Sequence, residues 1–269
     1  MNEILSKINE AECVLIGAGS GLSTAAGINY AGEEFQRKFK SFINQYGFTD
    51  LYTSSFYEFQ TQEQYWAYWA KHIDYANTGR ECTLLYKKIY DIVKNKNYFV
   101  ITTNVDDQFY KAGFDNHRIF RVQGSYRFIQ CSKACHNKLY DDKEMVDQML
   151  MEIDEKLKVP HELVPFCPVC GEKMEPNLRK DNFFVEDEIW FQQNDMYQKF
   201  IEENKNNKVL LLEFGVGFNT PGIIRFPFEQ LILKNKKWTL MRFNKDCQCF
   251  YDIEERMIKV KEDINKVFI

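Results

Sequence analysis

The stretch Cys13-Val14-Leu15-Ile16-Gly17-Ala18-Gly19-Ser20-Gly21 decides the fold. Its apolar run reads as a short buried strand. The small residues that follow let backbone approach a pyrophosphate, and the next helix presents N–H groups and the positive end of its dipole. Strand, glycine turn and helix open a nucleotide-binding α/β fold; a tight turn with no ligand is the competing reading of the glycines alone. The spacing is G-x-G-x-G rather than G-x-G-x-x-G, and no second strand ending in an acidic residue follows about 20 residues later, which speaks against an ordinary dehydrogenase. Next comes Leu22-Ser23-Thr24-Ala25-Ala26-Gly27-Ile28-Asn29-Tyr30, small and polar, which suits a loop that closes over a ligand.

Outward from that opening, further buried strands are expected at Tyr98 to Thr102, Arg118 to Val122, Val209 to Phe214 and Trp238 to Phe243, with helical patterning at 81–94 and 189–204. The alternation predicts a parallel, doubly wound sheet. Residues 251–267, with Ile253, Met257, Ile258, Val260, Ile264 and Val267, suit a closing helix.

Two segments interrupt the alternation. Residues 33–76 are rich in aromatics and read as a helical insertion, in which Trp66 and Trp69 share a face as core. Residues 131–176 hold four cysteines and four of the six prolines, a composition for a metal-stapled module. The expected architecture is a Rossmann-like parallel sheet (1–32, 77–126, 180–269) with a smaller domain made of the helical insertion 33–76 and a zinc-binding module 127–179, the whole forming one catalytic unit.

The 269 residues are 45% hydrophobic and 16% aromatic, ample for a packed core, so disorder is excluded as the main state. Lys plus Arg (35) against Asp plus Glu (39) gives a net charge of −4, with no basic cluster, which argues against nucleic acid as a partner. No apolar run approaches the roughly 20 residues that span a bilayer, and the first residues lack a secretory pattern. No membrane partner and a cytoplasmic location are expected. In that compartment eight cysteines are free thiols or metal ligands by default. Cys131-x3-Cys135 and Cys167-x2-Cys170, 31 residues apart, fit four-thiolate tetrahedral zinc. Such a closed site is structural; His136 and His161 are alternative ligands.

Polar clusters stand at the carboxyl ends of the predicted strands, where ligands bind in such sheets. They are Thr103-Asn104-Val105-Asp106-Asp107, Arg121-Val122-Gln123-Gly124-Ser125, Gly215-Val216-Gly217-Phe218-Asn219 and Phe243-Asn244-Lys245. Alternation faces Asn104 and Asp106 the same way if the extended backbone persists.

The order of these motifs resembles the sirtuin family over essentially the whole chain. The matches are GAG at 17–19, TTNVD at 102–106 where the family shows TQNID, QGS at 123–125 where it shows HGS, the paired cysteines, GVG at 215–217 where it shows GTS, and Phe243-Asn244 where it shows IN. The family's P-D-F-R is absent, replaced by Asn29-Tyr30-Ala31-Gly32-Glu33-Glu34-Phe35. With GAGSGLSTAAG and the glutamine, the chain is similar to the macrodomain-linked branch, class M. The resemblance implies NAD bound by Gly17, Ala18, Gly19, Ser20, Gly21, Leu22, Thr103, Asn104, Asp106, Gln123, Gly215, Val216, Gly217, Asn219, Asn244 and Lys245. It implies catalysis by Asn104, Asp106 and Gln123.

In ordinary sirtuins the motif histidine is the base on a ribose hydroxyl during deacylation, and a glutamine can hold that hydroxyl but accept no proton from it. Breaking the nicotinamide bond needs only binding, distortion and stabilisation of positive charge at C1′, which Asn104 and Asp106 can supply. The residues therefore predict NAD-dependent protein ADP-ribosylation, a glycosyl transfer. Class M resemblance adds a lipoylated glycine-cleavage H-like carrier protein as acceptor, a macrodomain protein that reverses the modification, and a link to oxidative stress. The competing readings are a lysine deacylase in which water or Asp106 replaces the base, a noncatalytic NAD or ADP-ribose sensor, and an NAD hydrolase.

Overall fold

The computed structural model describes residues 2–269, with side chains from residue 4 onward. Among them run nine strands: β1 (Cys13–Ala18), β2 (Asn97–Thr102), β3 (Ile119–Arg121), β4 (Gly124–Cys131), β5 (Tyr140–Asp141), β6 (Met174–Leu178), β7 (Val209–Phe214), β8 (Thr239–Phe243) and β9 (Met257–Val260). The chain divides into two units. The first holds the residues up to Gly27 with Cys82–Gln123 and Glu188–Ile269; the second holds Ile28–Glu81 and Gly124–Asp187.

The first unit is built on a six-stranded sheet in the order β3-β2-β1-β7-β8-β9, every pair parallel. Strand β1 is buried throughout and lies in register with β2 on one side and β7 on the other, Cys13 opposite both Asn97 and Val209. Both faces are covered, so the strands are built on near-continuous apolar runs such as Val14 to Ile16 and Val209 to Leu212. Val14 and Ile16 pack on one face with Leu85, Ile89 and Ile264; Leu15 packs on the other with Phe200, Phe228 and Trp238. The chain builds from β1 outward to β3, then returns to β7 on the opposite side of β1. The order therefore reverses between β1 and β7, and the crevice at their carboxyl ends is where such a sheet receives its ligand.

The expected closing helix over 251–267 is corrected. A 3₁₀ turn at Glu254–Arg256 leads into β9, and only Ile264–Phe268 is helical. Met257-Ile258-Lys259-Val260 pairs with Leu240 to Phe243, and β-branched Ile258 and Val260 fit that pleated edge better than a helix.

The second unit combines helices Glu33–Lys38, Lys40–Tyr46, Leu51–Ser54 and Gln62–Ile73 with an antiparallel sheet β5-β4-β6. Its helical part is organised around aromatic rings, as the composition of 33–76 led us to expect. The buried Tyr68 ring has Phe42, Phe48, Phe59 and Trp69 within 5.4–5.9 Å, largely edge to face. Among the described residues no helix is long and apolar enough to cross a membrane.

Candidate active site

The turn after β1 is fastened to the turn after β7. Gly19 N donates to Phe214 O and Gly21 N to Gly215 O, each at 3.0 Å. A Cβ on Gly21 would come within 2.7 Å of Gly215 Cα, and one on Gly19 within 2.9 Å of Val216 Cα. Two of the amides expected to face a phosphate are thus bonded within the protein, and the glycines serve backbone-to-backbone approach at the switch point. Ser20 begins a short helix (Ser20–Ala25) and is exposed, while Leu22 and Ala18 are buried beneath the turn.

From β2 the chain runs along the same turn. Thr103 N donates to Ala18 O at 3.0 Å, and Thr102 Oγ1 accepts from Asn104 N. Asn104 Nδ2 lies 3.0 Å from Gly19 O and 3.2 Å from Tyr86 Oη. A carbonyl oxygen only accepts, so the atom facing Gly19 is the nitrogen. Both amide hydrogens point inward, which leaves Oδ1 as the atom Asn104 can offer a ligand.

Asp106 meets the same cluster. Its Oδ2 accepts from Ser23 Oγ at 2.5 Å, its Oδ1 accepts from Gln108 N at 3.1 Å, and Ser23 Oγ is 3.1 Å from Tyr86 Oη. Ser23, Tyr86, Asn104 and Asp106 are all buried. Burial pushes the Asp106 carboxyl up to about 6, against the hydrogen bonds from Ser23 and Gln108 that favour its ionised form. Desolvation, then the Asp106 charge, hold the Tyr86 phenol well above its ordinary range.

Gln123 stands half-buried in the two-residue turn between β3 and β4. No histidine takes the role it lacks through its own motif. His72 is fully buried between Tyr68 and Tyr126, where desolvation lowers it to about 3. His161 pairs with Glu63, His136 lies beside the thiols, and His117 sits on an exposed turn.

At the ends of β7 and β8, Gly215 takes positive φ (57°) and donates to Phe243 O, and Asn244 Nδ2 donates to Val216 O at 2.8 Å. Asn244 Oδ1 accepts from Asp246 N, so this side chain braces the two loops. Gly217, Asn219 and Lys245 are exposed.

Sequence reasoning missed Ser23 and Tyr86 as partners of Asn104 and Asp106. It also missed a buried charge cluster of Glu213, Arg225, Glu229 and Arg242. A signal existed for the last: Glu213 and Arg242 interrupt apolar strands at the same offset, one residue before Phe214 and Phe243, which pair across the sheet.

In the second unit the sulfurs of Cys131, Cys135, Cys167 and Cys170 lie within 4.8 Å of one another, with Cys131–Cys170 and Cys135–Cys167 at 3.6 Å. Zinc with ~2.3 Å bonds to four thiolates requires edges of about 3.8 Å, so the donor set and its spacing fit the ion. His136 Nδ1 is 3.1 Å from Cys135 Sγ but 3.9 Å from Cys167 Sγ, at the rim of the cluster, and His161 is engaged elsewhere. Four thiolates leave no open position, so the site is structural.

Comparison with known proteins agrees with this architecture. Residues 19–212 match the model of the Sir2 family. The chain is 34% identical over 260 residues, 96% of its length and 82% of the other's, to a protein ADP-ribosyltransferase of Staphylococcus aureus. It is 31% identical over 242 residues, 85% of its length, to a protein of Fusarium oxysporum f. sp. cubense named "Probable bifunctional ADP-ribose hydrolase/ADP-ribosyltransferase", of which it spans 39%. Among solved structures, a mutant Sir2 homologue with ADP-ribose superposes with a TM-score of 0.60 at 15% identity, covering 100% of this chain and 93% of that one. A Sir2 homologue–NAD complex gives 0.58 at 14%, covering 100% and 91%. The structural likeness speaks to the fold, and the sequence matches carry the assignment: the chain belongs to the Sir2 family.

Proposed function

We propose that this protein is an NAD-dependent protein ADP-ribosyltransferase of the class M type. Its substrates are NAD and a lipoylated glycine-cleavage H-like carrier protein. The observation that carries the reading is the pairing of an intact Asn104–Asp106–Ser23–Tyr86 cluster with Gln123 in place of a base. The names of the bacterial and fungal relatives support the transferase activity.

In this reading, scission of the C1′–nicotinamide bond sends the bonding pair to the nitrogen of nicotinamide, and positive charge builds at C1′. The outward Oδ1 of Asn104 and the buried carboxylate of Asp106 favour that charge in a site of low dielectric. Gln123 holds a ribose hydroxyl without taking its proton, so the collapse that deacylation requires is disfavoured. The acceptor's nucleophilic atom bonds to C1′ and gives up its own proton to water. A hydrolase that removes the modification is a natural partner. The fungal relative's name, joining ADP-ribose hydrolase and transferase, supports this. A cytoplasmic setting and a role under oxidative stress complete the proposal.

The experiment is intact-mass spectrometry of lipoylated and unlipoylated H-like carrier protein after incubation with enzyme and NAD. A gain of one ADP-ribose on the lipoylated form alone, abolished by Asn104→Ala, is the expected result. Nicotinamide release without any mass gain would replace this acceptor by another or by water, and turnover of acyl-lysine peptides would restore the deacylase.

A further inference from the structure

Four charged side chains lie wholly buried side by side in the first unit: Glu213, Arg225, Glu229 and Arg242. Arg242 Nε is 2.6 Å from Glu213 Oε1, and its Nη1 is 2.9 Å from Glu229 Oε1. Removing four charges from water carries a desolvation cost that an apolar core of equal volume avoids, so stability alone is a weak reason for the cluster. The destinations of its remaining hydrogen bonds are more informative. Arg225 Nη1 donates to Val216 O at 3.2 Å, while its Nη2 donates to Asp246 O at 3.1 Å and Gln248 O at 2.9 Å. Arg242 Nη1 donates to Gln248 O at 2.8 Å. Glu229 Oε2 accepts from the amides of Phe250 and Tyr251 at 2.8 and 3.2 Å. Every backbone group held by these side chains therefore lies at 216 or within 246–251, in the loops that leave β7 and β8. Of the four, Arg225 alone reaches both, with Cζ 4.2 Å from the centre of the Phe218 ring.

We propose that Arg225, backed by Glu213, Glu229 and Arg242, is a positioning residue for the adenosine end of NAD, because it sets the spacing of the two loops that border the crevice there. This rests on the reading above that Gly215, Val216, Gly217, Asn219, Asn244 and Lys245 face the cofactor while Asn104, Asp106 and Gln123 act at C1′; the sheet order sets the loops after β7 and β8 across β1 from β2 and β3, on the side left for the adenosine end. A planar guanidinium holds three carbonyls from two loops at once; a lysine in its place keeps the charge as a point donor and loses the fork. The adenosine end is remote from C1′. Slackening its loops weakens ground state and transition state alike, which raises KM and leaves kcat.

The test compares Arg225→Lys and Glu229→Gln with the unaltered protein, at a temperature where circular dichroism shows each folded. The readouts are KM and kcat for nicotinamide release, calorimetric affinity for ADP-ribose and for nicotinamide, and the melting midpoint. Arg225→Lys should raise KM for NAD about tenfold with kcat within about twofold. ADP-ribose affinity should fall by the same factor and nicotinamide affinity should hold. Should Arg225→Lys fail to fold, Glu229→Gln, which removes the charge facing Arg242 and weakens the acceptor for two loop amides, gives the same pattern at smaller amplitude. A lowered melting midpoint with KM unchanged makes the cluster purely structural and overturns the proposal, as does a fall in kcat at constant KM. Unaltered protein that binds neither NAD nor ADP-ribose removes the transferase reading itself, a result distinct from variants that bind both as tightly as the parent.

Discussion

Ser23 and Asp106, 83 residues apart in the chain, meet at 2.5 Å in the interior of the first unit, the hydroxyl donating to the carboxylate. Each comes from the segment just beyond a central strand, Ser23 after β1 and Asp106 after β2. One hydrogen bond thus couples the short helix after β1 to the polar end of the neighbouring strand.

A pH dependence follows. The folded Asp106 carboxyl is raised from 3.8 to about 6, so between those values the native state binds more protons than the unfolded chain. Stability contributed by this group is present below pH 3.8 and is lost as pH rises to about 6; fully ionised, the residue destabilises the fold by on the order of 3 kcal/mol. Asp106→Asn should therefore be more stable than the parent at pH 8 by about 1–2 kcal/mol, the shortfall arising because an amide cannot accept from both Ser23 and Gln108. At pH 4.5 most of that advantage should vanish. Urea unfolding at the two pH values measures it, and nicotinamide release by the parent should rise with pH through about 6 as the carboxylate forms.

How far the sequence reveals this molecule depends on the kind of signal. Five strands of the parallel sheet are legible because burial on both faces leaves apolar runs such as Val209 to Leu212. The sixth, β9, is not: four residues ending at an edge, with Lys259 among them, match a helical spacing as well as an alternating one. Asn104, Asp106 and Gln123 stand out as polar residues after strands. Tyr86, the partner of Asn104, does not, because its ring completes the apolar stripe of the helix Leu84–Val93 and only its hydroxyl joins the site. Charges inside strands, Glu213 and Arg242, are visible in the sequence, but their meaning depends on pairing across the sheet and on loops that only the fold brings near.

Removal of the metal gives a second prediction. Cys131 ends β4 and pairs with Met174 on β6, and Ser132 N donates to Lys173 O, so the thiolate cluster closes the end of that sheet. The native protein should carry one zinc per chain, and Cys167→Ser should lose it. Structural zinc contributes about 10–16 kcal/mol to folding in isolated modules, far more than the apolar content of this segment supplies. Proteolysis after chelation should cut within 131–173, and activity should decline in step with that cutting. Inactivation while the segment keeps its resistance to protease would instead make the metal catalytic.

The fastened turns after β1 and β7 give a third. A Cβ at position 21 would stand 2.7 Å from Gly215 Cα and 2.8 Å from Gly215 O, backbone atoms that cannot swing aside. Gly21→Ala should therefore cost about 1–3 kcal/mol in denaturant unfolding. Gly217→Ala meets nothing within 4 Å and should leave unfolding unchanged, which makes it the control. Equal stability of the two variants would mean that the turns are not held in contact in solution.

Gln123→His asks whether the missing base decides the chemistry. Position 123 occupies a turn, half-buried, where an imidazole of similar size replaces an amide with little change in packing. A half-exposed imidazole titrates near 6.5, so at pH 7.5 most of it is neutral and able to accept a proton from a ribose hydroxyl. The variant should gain NAD-dependent turnover of acyl-lysine peptides that the parent lacks, with a rate that rises through pH 6–7 as the ring deprotonates. Mass spectrometry of an acetyl-lysine peptide across that pH range reads the result. If the variant folds and releases nicotinamide yet leaves the peptide acylated, the distinction between transfer and deacylation lies in how the acyl-lysine is held, and not in the absent base.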